Sequence, residues 1–135
     1  QMYKGEANYE EIKKVVENVN IPVIANGDIT DFKKAEYVLN FTGADGVAIG
    51  RGAVGRPWIF LEMKQKGNIT NEQKKEVILE HFNQMINFYG EYGVILFRKH
   101  AHAYSKGIAK ASEFRSKINE AKEAEVVREL IEEYF

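Results

Sequence analysis

The first 50 residues alternate between helix-like and strand-like hydrophobic patterns. Residues 9–19 carry apolar side chains at the i, i+3, i+4, i+7 spacing of an amphipathic helix, namely Ile12, Val15, Val16 and Val19. Asn8 precedes this helix and Glu11 follows three positions later, which is close to a capping box. The run IPVIA at 21–25 is almost wholly apolar. Such a run predicts a strand that is buried on both faces, as in a parallel sheet covered by helices.

A second unit of the same kind follows directly. Thr30 is the expected N-cap of a helix over 31–40, and the segment GADGVAIG contains a short apolar strand at 46–49. Helices and strands that alternate through short loops predict parallel strands joined by a right-handed crossover. Because two strands do not form a stable parallel sheet alone, we expect further strands upstream. The start at Gln1, without Met, agrees with the expectation that the chain is a fragment of a longer one.

The remainder of the chain has a purely helical pattern. Thr70 and Gln73 form a capping box for a long helix that continues to about Tyr89. Further helices are predicted at 92–106, 111–121 and 123–134. The expected fold class is therefore α/β plus all-α, with two βα units over residues 1–62 and a small helical-bundle domain over residues 63–135.

The amino-acid composition excludes several classes of protein. With 135 residues, 44% hydrophobic and 29% charged, the chain is long enough for one ordinary domain or two small ones. It contains no cysteine, which excludes a disulfide framework, a thiolate zinc site and a cysteine nucleophile or acid within these residues. No apolar run approaches the ~20 residues of a membrane-spanning helix, and no signal-peptide pattern opens the chain, so the cytoplasm is the default location.

Glycine-containing loops follow both predicted strands and are the best candidates for chemistry. The first loop holds Asn26, Gly27 and Asp28, and the second holds Gly50, Arg51 and Gly52. Exposed N–H groups before a helix favour a phosphate, glycine lets the backbone approach it, and arginine adds a planar charged fork. One such loop alone is most simply explained by turn glycines and a surface arginine. Two on consecutive strands favour a phosphate site, as found after the last two strands of (β/α)₈ barrels.

Four motifs together carry a family resemblance. The segments IPVIANGDI, GADGVAIGRGAVGRPWIF, FRKHAHAYSKGI and FRSKIN resemble the C-terminal half of flavin-dependent tRNA dihydrouridine synthases of the bacterial type. The opening QMYKGEANYEEIKKV is similar to the stretch that precedes the penultimate barrel strand of that family. The resemblance implies the last two βα units of a TIM (β/α)₈ barrel followed by a helical tRNA-binding domain.

The resemblance also implies a reaction and a cofactor site. The family reduces a uridine in tRNA to dihydrouridine with FMN, which NADPH reduces. The FMN phosphate would be held by the loop residues Asn26, Gly27, Asp28, Gly50, Arg51 and Gly52. The family's proton-donating cysteine would lie in the barrel half outside this chain, so we expect this chain to hold no catalytic residue and to be inactive alone.

Charge is distributed unevenly along the helical part. Residues 98–117 hold six basic side chains and one acidic side chain, whereas residues 118–135 hold two basic and six acidic ones, although the whole chain has a net charge of −1. Phosphate contacts dominate RNA affinity, and rings can stack on unpaired bases. We therefore predict an RNA-binding face formed by Arg98, Lys99, His102, Tyr104 and Lys106. A charged face that serves only solubility is the alternative.

Other hypotheses remain open from the sequence. His100 and His102 point in different directions on a helix and lack a third ligand, so no metal site is expected. One alternative is part of another FMN-dependent TIM-barrel oxidoreductase that acts on a small metabolite, and a second is a non-catalytic RNA-binding helical module. Two buried strands without their neighbours would expose apolar surface, so the isolated chain is expected to self-associate.

Overall fold

The computed structural model describes residues 5–135 and divides the chain into two compact units. Residues 1–4, which open the QMYKG stretch, lie outside the described residues. The first unit comprises Gln1–Ala53 with Ile59–Asn68, and the second comprises Val54–Trp58 with Ile69–Phe135. The predicted division between residues 62 and 63 falls inside a short helix of the first unit, and the segment from 54 to 58 belongs to the second unit.

The first unit contains two strands and three helices within the described part of the chain. In chain order they are α1 (Tyr9–Asn18), β1 (Ile24–Asn26), α2 (Phe32–Thr42), β2 (Gly46–Ala48) and α3 (Ile59–Gln65), with a 3₁₀ turn over Arg51–Ala53 after β2. The strands are parallel, with Ile24 opposite Gly46 and Asn26 opposite Ala48, which confirms the predicted arrangement. Because the strands are parallel and in register, their carboxyl ends lie at the same edge of the sheet.

Only one face of this sheet is covered by described residues. Ala25 is buried, whereas the side chains before and after it are exposed, and Ile24 keeps 58% of its surface accessible. Alternate side chains of a strand point to opposite faces, so Ala25 faces the helices and Ile24 faces away from them. The prediction of a strand buried on both faces is therefore wrong for the described chain.

Helices α1 and α2 cover the face of the sheet to which Ala25 points. Ile12 and Val16 of α1 pack against the core, but Val15 and Val19 of the same predicted stripe are exposed. The N-cap of α2 is Asp31 rather than the predicted Thr30, because the Asp31 carboxylate accepts a hydrogen bond from the Lys34 N–H at 2.8 Å. The buried core of this unit is Ala25, Ile29, Ala35, Val38 and Ala44.

The second unit is a bundle of four longer helices, α4 (Asn71–Tyr89), α5 (Tyr92–Tyr104), α6 (Ala111–Glu120) and α7 (Ala124–Tyr134). These bounds confirm the predicted helices to within two residues. The capping box of α4 is present, with Thr70 and Gln73 each bonding the backbone of the other. Helix α4 packs against α5 and α7, and α6 packs against α5 and α7. Its largest fully buried side chains are Phe82, Phe97 and Phe114.

Candidate functional site

The loops that follow the two strands meet around one cavity in the first unit. The register of β1 and β2 brings both loops to the same sheet edge, where they border an open cavity of about 680 Å³. All six residues predicted to hold a phosphate line this cavity, namely Asn26, Gly27, Asp28, Gly50, Arg51 and Gly52. The structure therefore brings together side chains and backbone from positions about two dozen residues apart.

The segment that leads into α1 contacts the loop after β1, and Ala7 of this segment also lines the cavity. The Tyr9 hydroxyl donates a hydrogen bond to the Gly27 carbonyl at 2.7 Å, and the Ala7 N–H donates to the Asp28 carboxylate at 2.7 Å. Gly27 has a φ of 138°, a conformation that favours glycine. A Cβ at this position would also collide with the side chain of Ala7. The sequence requirement for glycine here is thus both conformational and steric.

An ion pair joins the two loops. The Arg51 guanidinium lies 3.2 Å from the Asp28 carboxylate, with the two side chains 67% and 36% exposed. Asp28 thus accepts one hydrogen bond from a backbone N–H and one from a guanidinium. These two donors partly neutralise the carboxylate next to the place where a phosphate anion would bind. Asp28 itself has a φ of 47°, which is unusual for a residue with a side chain.

The glycines of the second loop differ in what surrounds them. A Cβ at Gly52 would collide with the carbonyl oxygen of Ile29, so this glycine permits the two loops to touch. A Cβ at Gly50 would enter open space, since no atom beyond the two adjacent residues lies within 4 Å of that position. The missing side chain at Gly50 leaves the backbone accessible from the cavity that Gly50 lines.

These features fit a phosphate group. The cavity has close access to glycine backbone, a permanently charged planar fork at Arg51, and a carboxylate whose charge already has two partners. The 3₁₀ turn that begins at Arg51 is only three residues long, so its dipole is small and the contacts would depend on individual N–H groups and the guanidinium. Phosphate binding by the six residues stays a prediction.

Comparison with known proteins identifies the family. A sequence model described as dihydrouridine synthase (Dus) matches residues 1–135. The chain belongs to the dihydrouridine synthase family. This confirms the resemblance predicted from the motifs around the two loops. The family is flavin-dependent.

Named relatives give the same result. The chain is 46% identical over 133 residues to a probable tRNA-dihydrouridine synthase of Helicobacter pylori, covering 98% of this chain and 40% of the relative. It is 47% identical over 142 residues to tRNA-dihydrouridine synthase B of Vibrio parahaemolyticus, covering 99% and 44%. A probable tRNA-dihydrouridine synthase of Rickettsia bellii is 41% identical over 143 residues, with 100% and 44% covered. The chain spans about two fifths of the length of these curated relatives.

The residues predicted to bind RNA lie on or directly after α5 and differ in their exposure. Lys99 and Lys106 are exposed. The His102 ring is half-buried and lies 3.0 Å from the Asn119 side-chain oxygen. Arg98 donates to the Ala121 carbonyl at 2.9 Å, at the C-terminal end of α6, where a cation also interacts favourably with the helix dipole. Arg98 therefore has a packing role that the charge pattern did not indicate.

Tyr104 belongs to the core rather than to the RNA-facing surface predicted for it. Only 6% of its surface is accessible, and its ring stacks on Trp58 with 5.9 Å between centroids. Its hydroxyl lies 2.8 Å from Nδ1 of His81. Burial raises the pKa of the Tyr104 phenol to about 12. An enclosed ring of this kind offers no face on which a base can stack.

Sequence reasoning did not anticipate a contact between two histidines of the second unit. The rings of His81 and His100 are edge-to-face with 4.7 Å between centroids. Burial lowers the pKa of His81. Burial also lowers the pKa of His100, and the charge of the nearby His81 lowers it further. The two residues come from α4 and α5, so no local spacing in the sequence brings them together.

Residues 5–135 contain no group of three or more side chains that could together bind a metal ion. None of the helices in this range has the length and apolar character needed to cross a membrane.

Proposed function

We propose that this chain is the flavin-phosphate-binding and tRNA-facing portion of a tRNA dihydrouridine synthase. The enzyme would reduce a uridine in tRNA to dihydrouridine with FMN, and NADPH would reduce the flavin. The observation that carries the proposal is the cavity at the carboxyl ends of β1 and β2, lined by all six loop residues, in a chain that matches the family over its whole length.

The phosphate of FMN would be held by the two loops. Arg51 would supply a charged fork, and the backbone at Gly27, Gly50 and Gly52 would approach the phosphate oxygens closely. Asn26 and Asp28 complete the lining, with the Asp28 carboxylate satisfied by Arg51 and by the Ala7 N–H. When bound, FMN supplies the hydride for the reduction. The contribution of this chain is to bind and orient the flavin from its phosphate end.

The exposed face of the sheet supports placement in a barrel. We propose that β1 and β2 are the last two strands of a TIM barrel and that Ile24 faces its interior. The sequence contains no cysteine, so a cysteine that donates the proton would have to come from the rest of the enzyme. The chain alone would therefore not reduce uridine, and its uncovered sheet face would favour self-association.

The substrate would be contacted by the second unit. Lys99 and Lys106 are exposed cations on and directly after α5, and His102 is half-exposed on the same helix. Contacts to RNA phosphates depend on such accessible charges rather than on a fixed local fold. The relatives' names support tRNA as the partner, and we propose the cytoplasm as the location.

An assay of uridine reduction in tRNA by the complete protein that contains this chain tests the proposal. The purified protein should contain FMN and should convert uridine to dihydrouridine in unmodified tRNA with NADPH as reductant. Arg51→Ala should lower the flavin content, whereas Lys14→Ala, which removes an equally exposed cation of α1, should not. A complete protein that purifies without flavin and leaves tRNA unmodified would contradict the proposal.

A further inference from the structure

A tyrosine outside the cavity fixes the orientation of the first loop. The Tyr9 hydroxyl donates to the Gly27 carbonyl at 2.7 Å. In a trans peptide the carbonyl and the following N–H point in opposite directions. Since the Gly27 carbonyl is directed at Tyr9, the N–H of Asp28 is directed away from it. Asp28 lines the cavity, whereas Tyr9 is absent from the described residues that do so.

The segment before α1 holds the same loop at two more points. The Ala7 N–H donates to the Asp28 carboxylate at 2.7 Å. The Ala7 side chain lies where a Cβ of residue 27 would be, so the Gly27 backbone rests directly against it. Residues 7 and 9 therefore make three contacts with the loop after β1: one to the Gly27 carbonyl, one to the Gly27 backbone and one to the Asp28 carboxylate.

The Tyr9 ring is itself held in place. The Tyr37 ring meets it edge-to-face with 6.2 Å between centroids, and the Lys34 ammonium lies 4.9 Å from the centre of the Tyr9 ring. Burial, and secondarily the Asp28 carboxylate, raises the pKa of the Tyr9 phenol. The hydroxyl is therefore protonated at neutral pH and acts as a donor to the Gly27 carbonyl.

We infer that Tyr9 is a positioning residue for phosphate recognition, which acts through the Gly27 peptide and not by touching the ligand. It keeps the N–H side of the loop after β1 turned toward the phosphate end of the flavin. The inference rests on the proposed function, because it assigns a role in binding FMN. Nothing in the sequence indicates this role, since an aromatic residue at the first position of an amphipathic helix is unremarkable by itself.

Removal of the hydroxyl alone tests the inference. Tyr9→Phe and the matched control Tyr37→Phe are compared with the parent in the complete protein, by titration with FMN and with riboflavin, which lacks the phosphate. Tyr9→Phe should weaken FMN binding by about fivefold, the effect of one positioning hydrogen bond. Riboflavin binding should be unchanged, and Tyr37→Phe should change neither affinity. A purely structural role would weaken both flavins equally.

The outcomes separate this inference from the proposed function. If the parent prefers FMN to riboflavin and Tyr9→Phe has the same preference, the inference is wrong and the proposed function stands. If the parent binds neither flavin, or both equally, the proposed phosphate site fails and the inference fails with it. Should Tyr9→Phe be less stable, the rise in melting temperature caused by inorganic phosphate gives a second measurement. A rise equal to that of the parent would overturn the inference.

Discussion

The guanidinium of Arg51 and the carboxylate of Asp28 form an ion pair of 3.2 Å between the loops that follow β1 and β2. Both side chains retain solvent contact, with 67% of Arg51 and 36% of Asp28 exposed. Exposed ion pairs contribute about 0–1 kcal/mol to stability. The ion pair therefore contributes little to the free energy of unfolding. Replacement of Arg51 should for that reason test ligand binding with little effect on stability.

We expect Arg51→Ala to weaken FMN binding by about ten- to one-hundredfold, because a charged hydrogen bond to phosphate contributes about 1.5–3 kcal/mol. The free energy of unfolding should change by less than about 1 kcal/mol. Flavin titration and urea unfolding of the complete protein measure the two quantities. Lys14→Ala, in an exposed pair with Glu11, is the control and should leave FMN affinity unchanged. Equal FMN affinity in Arg51→Ala and the parent would remove Arg51 from the site.

The two glycines of the second loop should respond differently to alanine. At Gly52 a Cβ collides with the Ile29 carbonyl, so Gly52→Ala should lower the free energy of unfolding by about 1–3 kcal/mol. At Gly50 a Cβ enters open space, so Gly50→Ala should leave unfolding nearly unchanged and weaken FMN binding. Urea denaturation and flavin titration of both variants test the contrast. A Gly50→Ala protein with unchanged FMN affinity would show that the backbone there is not approached by the phosphate.

Stability should fall in mild acid because of His81. Burial lowers its pKa in the folded protein, whereas in the unfolded chain the imidazole titrates near its ordinary value of 6.5. The unfolded chain therefore binds the proton first, and the stabilisation that is fully present above about pH 6.5 is lost as the pH falls below it.

Urea unfolding at about pH 7.5 and 5.5 measures this effect. The loss of stability between the two values should be smaller in His81→Gln than in the parent, since the variant has one buried imidazole fewer to protonate and keeps the contribution of His100. His102→Gln, a half-exposed histidine of α5, is the control and should retain the loss seen in the parent. If His81→Gln and the parent lose equal stability, the pH dependence has another origin.

RNA binding should depend on accessible cations of the second unit. We expect the double variant Lys99→Ala with Lys106→Ala to bind tRNA more weakly. The slope of log affinity against log salt concentration should also become shallower, by the amount expected for the loss of about two phosphate contacts. Lys117→Ala is the matched control, because Glu113 and Glu133 lie 3.1 and 3.6 Å from its ammonium. Filter binding over a range of salt concentrations measures both slopes. Parallel slopes for the double variant and the parent would exclude these lysines from the RNA-binding surface.

The sequence predicted the elements well where local periodicity decides them. The capping box at Thr70 and Gln73 marked the start of α4 correctly, because it depends on two side chains and the adjacent backbone. The sequence predicts the N-cap of α2 one residue early, since Thr30 and Asp31 are both good capping residues and only the geometry selects Asp31. The exposure of Ile24 was missed, because an apolar strand looks the same whether one or both of its faces are covered.

The candidate site was predicted in part for the same reason. The glycine and arginine residues indicate that the two loops form the candidate site. The parallel pairing of β1 and β2 brings these loops together. Tyr9 was not anticipated, since its role depends on a contact with Gly27 across 18 positions. The spacing of Tyr104 relative to the basic residues predicts a place on the surface, but spacing does not reveal that Trp58 covers its ring.

The segment Val54–Trp58 belongs to the helical unit although the chain on either side of it belongs to the other unit. The polypeptide thus enters the second unit, leaves it, and returns at Ile69. No single cut separates the two units, and a piece that starts at residue 63 lacks the indole that stacks on Tyr104. The helical bundle therefore cannot be transferred intact as one continuous segment. Recombination or limited proteolysis at a single site would separate it from Trp58 and leave a gap in its core.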